Sequence, residues 1–417
     1  MNGDERARFD LMQLAEVAQR MAETFELEPL LRTIEGAGRA ALGCERATVF
    51  LHDPAAGTLV SKVATGTDEI RIPVGQGIAG EAARLRSVIV VPDAYADPRF
   101  NPQIDQRTGY RTRNLLTLPL ATPDGELIGV LQVLNKTEGP FTPQDERLAA
   151  ALGALTAVAV KRQMLLDEAA AKQRMERDLN IARDIQQRLL PKSDPQLPGF
   201  DIAGWNLPAD QTGGDCYDFH PLPGDRLGVL VADATGHGIG PALIVSQCRA
   251  VFRAFAQAGG DPAAIAGQVN TLMCADLPAD RFVTCFFGVL DAARATLHYV
   301  SAGQGPLWHY RAAEDRVDER PATCLPIGIL PDMPVEAGEP LVLAPGDVFL
   351  LLTDGFIEWA RPDGRQYGAG RLVELVRRHH DLPSAELIRR IHEDVKAFAG
   401  PAPQGDDLTA VVIRRTA

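Results

Sequence analysis

Paired cysteines are missing from this chain. Its six (Cys44, Cys216, Cys248, Cys274, Cys285 and Cys324) are scattered with no Cys-x-x-Cys. That argues against a zinc site or a disulfide frame and fits reduced thiols in a cytoplasmic protein. No run of 18 or more apolar residues occurs, so no membrane span is expected, and the charged start MNGDERARFD lacks the apolar core of a signal peptide. Basic residues are in deficit: 42 Lys and Arg against 55 Asp and Glu leave a formal net charge of −13. Such a chain has no global attraction for phosphate backbones, which argues against nucleic acid as a partner. Glycine-rich loops of the P-loop or dinucleotide type are absent, as are internal repeats. What remains is an ordinary globular composition, 46% hydrophobic and 23% charged over 417 residues, enough for two or three domains with real cores.

Residues 5–143 read as the first of three segments. Leu11, Leu14, Ala18 and Met21, then Leu27, Leu31 and Ile34, recur at helical spacing. Strand-like runs follow at 47–53, 58–64 and 87–93, with a glycine-entered helix at 75–85 between them. Residues 114–135 read as two strands joined by a Pro-Asp-Gly turn. Helices flanking an antiparallel sheet make this an α+β domain.

Residues 144–191 are different. After Thr142-Pro143, a capped helix start, no proline recurs until Pro191 and the only glycine is Gly153. A heptad phase runs through Leu148, Ala151, Leu155, Val158, Arg162 and Leu165, then slips near 166–175. It resumes through Met175, Leu179, Ala182, Gln186 and Leu189, a stutter that a coiled coil accommodates. The spacing predicts a dimerising linker helix about 65–70 Å long that carries torque between domains. A helix packed on its own domain is the alternative.

Residues 192–417 alternate strands (226–233, 281–291, 295–302, 347–354, 408–414) with helices at 239–256 and 383–398. Acidic residues stand where the strands run out: Asp215 in TGGDCYDF, Asp233 entering DATGHG, Asp354 ending FLLLTDG, and Asp406-Asp407 before LTAVVI. Each adjoins glycine, which permits sharp turns and close backbone approach. One such Asp is ordinarily a turn residue or cap. Four that converged would repel unless hard divalent cations neutralised them, and a pair of such ions is a phosphoryl-transfer device. Spacing alone leaves both readings open.

The strings ARDIQQRLLP (182–191), GGDCYDF (213–219), VADATGHG (231–238), FFGVLD (286–291), SAGQGP (301–306), LPIGI (325–329), LLTDGFIE (351–358) and GDDLTAVVI (405–413) occur in that order. In this, residues 176–417 resemble the metal-dependent PPM (type 2C) Ser/Thr protein phosphatases, and within them the SpoIIE and RsbU group. The resemblance implies an αββα sandwich holding two Mn²⁺ or Mg²⁺ ions. It also implies that Asp215 serves one ion, Asp233 bridges both, the Ala234 carbonyl adds a ligand, and Asp354 and Asp406 hold the other. Asp407 is expected to support the ligands, with Asp218 a weaker candidate for that role. Gln304 stands where many relatives show His. His237 adjoins the metal motif, as loop hydrogen-bonder or catalytic part. No basic residue flanks the ligand motifs, and Cys216 and Cys285 read as small buried hydrophobes.

Asn135-Lys136, Phe141 and Asp145-Glu146 match the NK…F…DE signature of cyclic-nucleotide-binding GAF domains, so the first segment resembles that regulatory module. From the residues alone, a Lys136–Asp145 ion pair would staple the last strand to the next helix, with few ligand contacts. The ligand expectation is a small molecule, with cyclic AMP or GMP the named candidates and pure dimerisation the alternative. Together these imply a cytoplasmic homodimeric phosphoprotein phosphatase regulated by its GAF domain. By resemblance, its substrate is a phosphorylated STAS-fold antagonist of an anti-sigma factor. The rival from another class is a non-catalytic cyclic-nucleotide receptor that uses the phosphatase-like half for docking.

Overall fold

The structure, a computed structural model, describes residues 3–64 and 70–416. Two compact units divide it, residues 1–174 and 175–417.

The first unit opens with helices α1 (Gly3–Ala22) and α2 (Leu27–Ala41). There follow β1 (Cys44–Asp53), β2 (Thr58–Ala64), β3 (Arg71–Pro73), α3 (Gly77–Leu85), β4 (Ile89–Val91), α4 (Gln103–Thr108), β5 (Leu115–Ala121) and β6 (Leu127–Lys136). The strands form one antiparallel sheet in the order β3-β2-β1-β6-β5-β4. Alternation along β1 sends Ala47, Val49 and Leu51 to one face, where Leu30, Leu31 and Ile34 of α2 pack, and Phe50 to the other, against Ala79 and Ala83 of α3.

Helix α5 (Pro143–Leu189) runs unbroken for 47 residues. Its buried positions, Leu148, Ala149, Leu152, Gly153, Thr156, Ala157, Val160 and Gln163, step by three and four and form one stripe. That stripe joins the core of the first unit. A Cβ at Gly153 would come within 2.9 Å of the Leu118 side chain and 3.0 Å of the Pro119 carbonyl, so glycine lets the helix lie close on the sheet. The expected heptad shares Leu148 with this stripe and then departs from it: Leu155, Val158, Leu165 and Met175 stay exposed, as do Ile181 and Ile185 outside that heptad. The helix therefore packs on its own domain in its first half and carries a second, uncovered apolar stripe. Among the described residues α5 alone is long and apolar enough to cross a membrane by length and composition, and 44% of the stretch concerned is buried.

The second unit is an αββα sandwich. Its strands are β7 (Phe200–Leu207), β8 (Asp215–Leu222), β9 (Arg226–Ala234), β10 (Val283–Asp291), β11 (Thr296–Ala302), β12 (Leu307–Arg311), β13 (Arg316–Arg320), β14 (Leu341–Val342), β15 (Val348–Leu352) and β16 (Leu408–Arg415). Its helices are α6 (Ile239–Ala258), α7 (Pro262–Asp276), the single-turn α8 (Gly355–Glu358), α9 (Ala369–His379) and α10 (Ser384–Ala399). Two five-stranded sheets, β14-β11-β10-β9-β8 and β13-β12-β15-β16-β7, stack face to face. Helices α6 and α7 cover the first sheet and α9 and α10 the second. Helices α7, α8 and α9 lie outside the two helices expected here; α7 gives no periodic signal because PAAIAGQVNTLMCAD is apolar nearly all round and lacks a polar face.

Candidate metal centre

Period-two alternation decides which acids meet. On β8, Tyr217 and Phe219 enter the layer between the sheets while Cys216 faces the helices. Asp215 therefore points with Tyr217 into the inter-sheet layer. On β9, Val229 and Val231 do the same, and Asp233 follows in phase. Asp215 and Asp233 are direct partners in the β8–β9 register, which sets their Cα atoms about 4.5–5.5 Å apart. From the opposite sheet, Phe349 and Leu351 of β15 and Val411 of β16 enter the same layer, so Thr353 and Thr409 arrive in phase at its polar end. The Thr353 hydroxyl donates across the layer to Asp215 Oδ2 at 2.8 Å and accepts the Thr409 N–H at 2.9 Å. Asp354 follows Thr353, and Asp406 precedes β16 by two residues. Depth is graded: Asp215 is 4% exposed, Asp233 half-buried, and Asp354 and Asp406 lie exposed at the mouth.

The electrostatics are those of crowded like charges. Burial, then Asp233 and Asp407, push the Asp215 carboxyl well above the ordinary range. Burial, then Asp354, Asp406 and Asp407, push Asp233 up to about 7. Burial and Asp406 raise Asp354 as well. Among the described residues none of Asp215, Asp233, Asp354, Asp406 or Asp407 forms an ion pair, and no three His, Cys, Asp or Glu side chains close into an ion cage by themselves. An all-oxygen set of this kind, uncompensated and partly buried, has the chemistry a hard divalent cation requires.

Close backbone approach holds the site together. A Cβ at Gly213 would meet Asp407 Oδ2 at 2.6 Å, and one at Gly214 the Ala234 and Gly236 carbonyls at 2.7 and 2.8 Å. Asp407 is buried and accepts N–H bonds from Ala209 at 2.7 Å and Asp215 at 3.3 Å, so it braces the strand that carries Asp215. The last turns of α5 reach the same strand end: Gln186 donates to the Gly213 carbonyl at 2.6 Å and accepts the Gly213 N–H at 3.1 Å.

Other expectations fare differently. Asp218 lies on the opposite face of β8, paired with Arg253 at 2.9 Å and Arg249 at 3.3 Å of α6; alternation removes it from the acidic cluster, which corrects its supporting role. His237 is exposed and meets Asp210 at 2.7 Å, linking the loops before β8 and after β9. Gln304 is buried and donates to the Leu352 carbonyl at 2.9 Å, a tie between strands. Cys216 and Cys285 lie in the core beneath α6 with their thiols raised by burial. No basic residue flanks the motifs in sequence, yet folding brings Arg281 to them: its Nη1 donates to the Thr235 carbonyl at 2.6 Å. Thr353, Gln186 and Arg281 are the site residues sequence reasoning misses. A lone polar residue carries no signal until its partners are known.

In the first unit, Asn135 is 1% exposed. It accepts the Arg113 N–H at 2.6 Å and donates to Tyr110 at 2.7 Å, the Arg111 carbonyl at 2.9 Å and Glu45 at 3.0 Å. Lys136 pairs with Asp145, which also accepts from Thr142 N–H and hydroxyl, and its ammonium lies 5.6 Å from the Phe141 ring. Glu146 is exposed on the first turn of α5. Four of the five signature residues are thus engaged with one another or with neighbouring chain.

Comparison with known proteins matches residues 223–416 to the family of stage II sporulation protein E and residues 26–160 to the GAF domain. The chain is 25% identical over 303 residues to the phosphoserine phosphatase RsbU of Bacillus subtilis, covering 72% of this chain and 89% of that protein. The solved SiaA-PP2C domain of Pseudomonas aeruginosa superposes with a TM-score of 0.53 at 28% identity, covering 59% of this chain and 99% of that one. A dual cyclic-AMP and -GMP phosphodiesterase 11A of Takifugu rubripes is 40% identical over 119 residues, 25% of this chain but only 13% of that protein. That likeness reaches a short part of the phosphodiesterase.

Proposed function

From a chain that joins a GAF domain to a SpoIIE-type phosphatase domain of the metal-dependent PPM class, we propose an enzyme that removes phosphate from a serine or threonine of a partner protein. The observation that carries this reading is the pairing of Asp215 and Asp233 in register, with Asp354 and Asp406 acting on Asp233 from the facing sheet. In this reading two Mn²⁺ or Mg²⁺ ions are held by Asp215, Asp233, the Ala234 carbonyl, Asp354 and Asp406. Such ions supply Lewis acidity toward phosphoryl oxygens and neutralise the cluster. The chain's own part is positioning. Thr353 fixes the rotamer of Asp215, Asp407 braces its backbone, and Gly214 lets the Ala234 carbonyl approach. Asp354 and Asp406, at the mouth, are placed to meet what enters from solvent.

The substrate in this proposal is a phosphorylated STAS-fold antagonist in a partner-switching pathway, a reading supported by the likeness to RsbU. The GAF domain senses a small molecule, with cyclic AMP or GMP supported by the phosphodiesterase likeness, in a cytoplasmic homodimer joined along the exposed Leu155, Val158 and Leu165 stripe. A shift of α5 would reach the metal ligands through the Gln186–Gly213 bonds.

Hydrolysis of p-nitrophenyl phosphate with and without Mn²⁺, in wild type and Asp233→Ala, tests the core of this. Equal rates in the two proteins remove the enzyme and leave the docking receptor. Calorimetric titration with cyclic AMP and cyclic GMP tests the sensor, and absence of heat at millimolar ligand discards both nucleotides.

A further inference from the structure

Two walls of the second unit enclose an open pocket of about 340 Å³. One wall is Arg361, Pro362 and Asp363; the other is the end of α10 with Phe398, Gly400 and Pro401. Both walls continue into the candidate centre. The first leaves Asp354 through the single turn of α8, and the second runs into Asp406 a few residues later.

The local charge runs against that of the chain. In a protein of net charge −13, residues 359–371 carry Arg361, Arg365 and Arg371 against one acid, Asp363. The guanidinium of Arg371 lies 4.4 Å from the centre of the Phe398 ring and that of Arg361 5.5 Å from it. Among the described residues neither forms an ion pair, whereas Arg377, Arg378 and Arg389 on the adjacent helices are all paired with carboxylates. Asp363 accepts the backbone N–H of Arg365 at 3.1 Å and caps its own turn. The walls are braced: Trp359 donates to the Ala402 carbonyl at 3.4 Å, and Tyr367 packs edge-on to Phe398 with ring centres 5.5 Å apart. A guanidinium stacked on an aromatic face keeps its edge donors free for a carboxylate, in the planar geometry that suits bidentate bonding.

We propose that this pocket docks an acidic side chain of the phosphoprotein substrate, at a fixed distance from the phosphorylated residue. The inference rests on the phosphatase reading above. Its physical reason is charge: Asp354, Glu358 and Asp406 are exposed, and like charges of this kind repel any acidic substrate. Arg361 in the pocket wall, and Arg371 outside the lining but over the same Phe398 ring, lie on segments that lead from those acids and turn the repulsion into selection for a substrate whose carboxylate reaches them.

The test uses the full chain with Mn²⁺ and Ala/Gly-based dodecapeptides bearing one phosphoserine. One peptide has no acid; the others carry a single Glu placed three to six residues to either side. Binding is read by fluorescence anisotropy and turnover as kcat/KM. The expected result is a preference of about tenfold for one Glu position over the acid-free peptide, reduced in 0.5 M salt. Arg361→Ala and Arg371→Ala each lower it, the double variant abolishes it, and Arg361→Lys retains part. Turnover of p-nitrophenyl phosphate stays within about twofold of wild type in all of them, since that substrate has no carboxylate to dock. Equal affinity for all peptides in wild type overturns the proposal, as does a preference that survives in the double variant. Because anisotropy needs no turnover, a Glu preference in a protein whose p-nitrophenyl phosphate hydrolysis ignores Asp233→Ala would sink the phosphatase reading and leave the docking site standing.

Discussion

Asp145 in the GAF domain and Asp215 in the phosphatase domain are both partly or wholly buried aspartates at the junction of a strand and another element, with opposite fates. Burial works to raise the Asp145 carboxyl, but the Lys136 ammonium and the Thr142 N–H and hydroxyl outweigh it and hold it below the usual range. For Asp215, burial is reinforced by Asp233 and Asp407, and hydrogen bonds from Thr409 and Thr353 do not offset them. The first aspartate stabilises its domain as an anion. The second destabilises its domain as an anion, which a bound cation would relieve. A charged motif whose members satisfy one another is structural glue; one whose members repel is a site awaiting a ligand.

Exchanging each aspartate for its amide sharpens that contrast. Asp215→Asn should lower Mn²⁺-dependent hydrolysis of p-nitrophenyl phosphate on the order of 10³-fold and raise the metal-free melting temperature of the second unit. Asp145→Asn should leave hydrolysis within about twofold and lower the melting temperature of the first. Calorimetry and steady-state kinetics on the same preparations read both, and an Asp215→Asn protein of normal activity would break the comparison.

Lys136→Met leaves Asp145 half-buried without its ammonium. A loss of about 1–3 kcal/mol from the first unit is expected in urea unfolding, and an unchanged midpoint would mean the staple carries no load. The pH dependence of the two halves should also have opposite sign. Asp145 is depressed, so its contribution is present above the unfolded carboxylate value and is lost as pH falls through its folded value. Asp233 is raised to about 7, so its ionised form is penalised: in EDTA the second unit loses stability as pH rises from about 4 to about 7. Calorimetric scans in EDTA at pH 6 and 8 should place the second-unit transition about 3–6 °C lower at pH 8, with Mn²⁺ abolishing the difference. The smallest effect is expected at Gln186. Removing its two bonds to Gly213 with Gln186→Ala should reduce turnover about three- to tenfold without altering helix content by circular dichroism, and unchanged turnover would disconnect α5 from the ligands.

How far the sequence could be read differs between elements for physical reasons. Amphipathic and apolar runs announce themselves, so α2, α6, α10 and strands β9, β10, β11, β15 and β16 are visible in the sequence, whereas β7 and the Asp215-bearing β8 are not. Helix α7, apolar nearly all round, has no such signal. The heptad stripe of α5 is legible, but the stripe that packs on the sheet mixes Leu148, Leu152 and Val160 with Gly153, Thr156 and Gln163, which hydrophobicity does not mark.

The same division holds at the site. Acids beside glycines at strand ends are written in the linear order, because any chain that brings strands to one polar edge must turn tightly there. That Asp218 turns its back on the cluster while Asp215, three residues away, enters it was decided by pleat parity once β8 paired with β9. That Thr353 reaches Asp215 was decided only when the sheets stacked, that Gln186 reaches the loop before it when the end of α5 settled on β8, and that Arg281 rests on Thr235 when β10 paired with β9, since a hydrogen bond between residues far apart in the chain has no imprint on either neighbourhood. Local chemistry belongs to the chain, and the company each group keeps belongs to the packing.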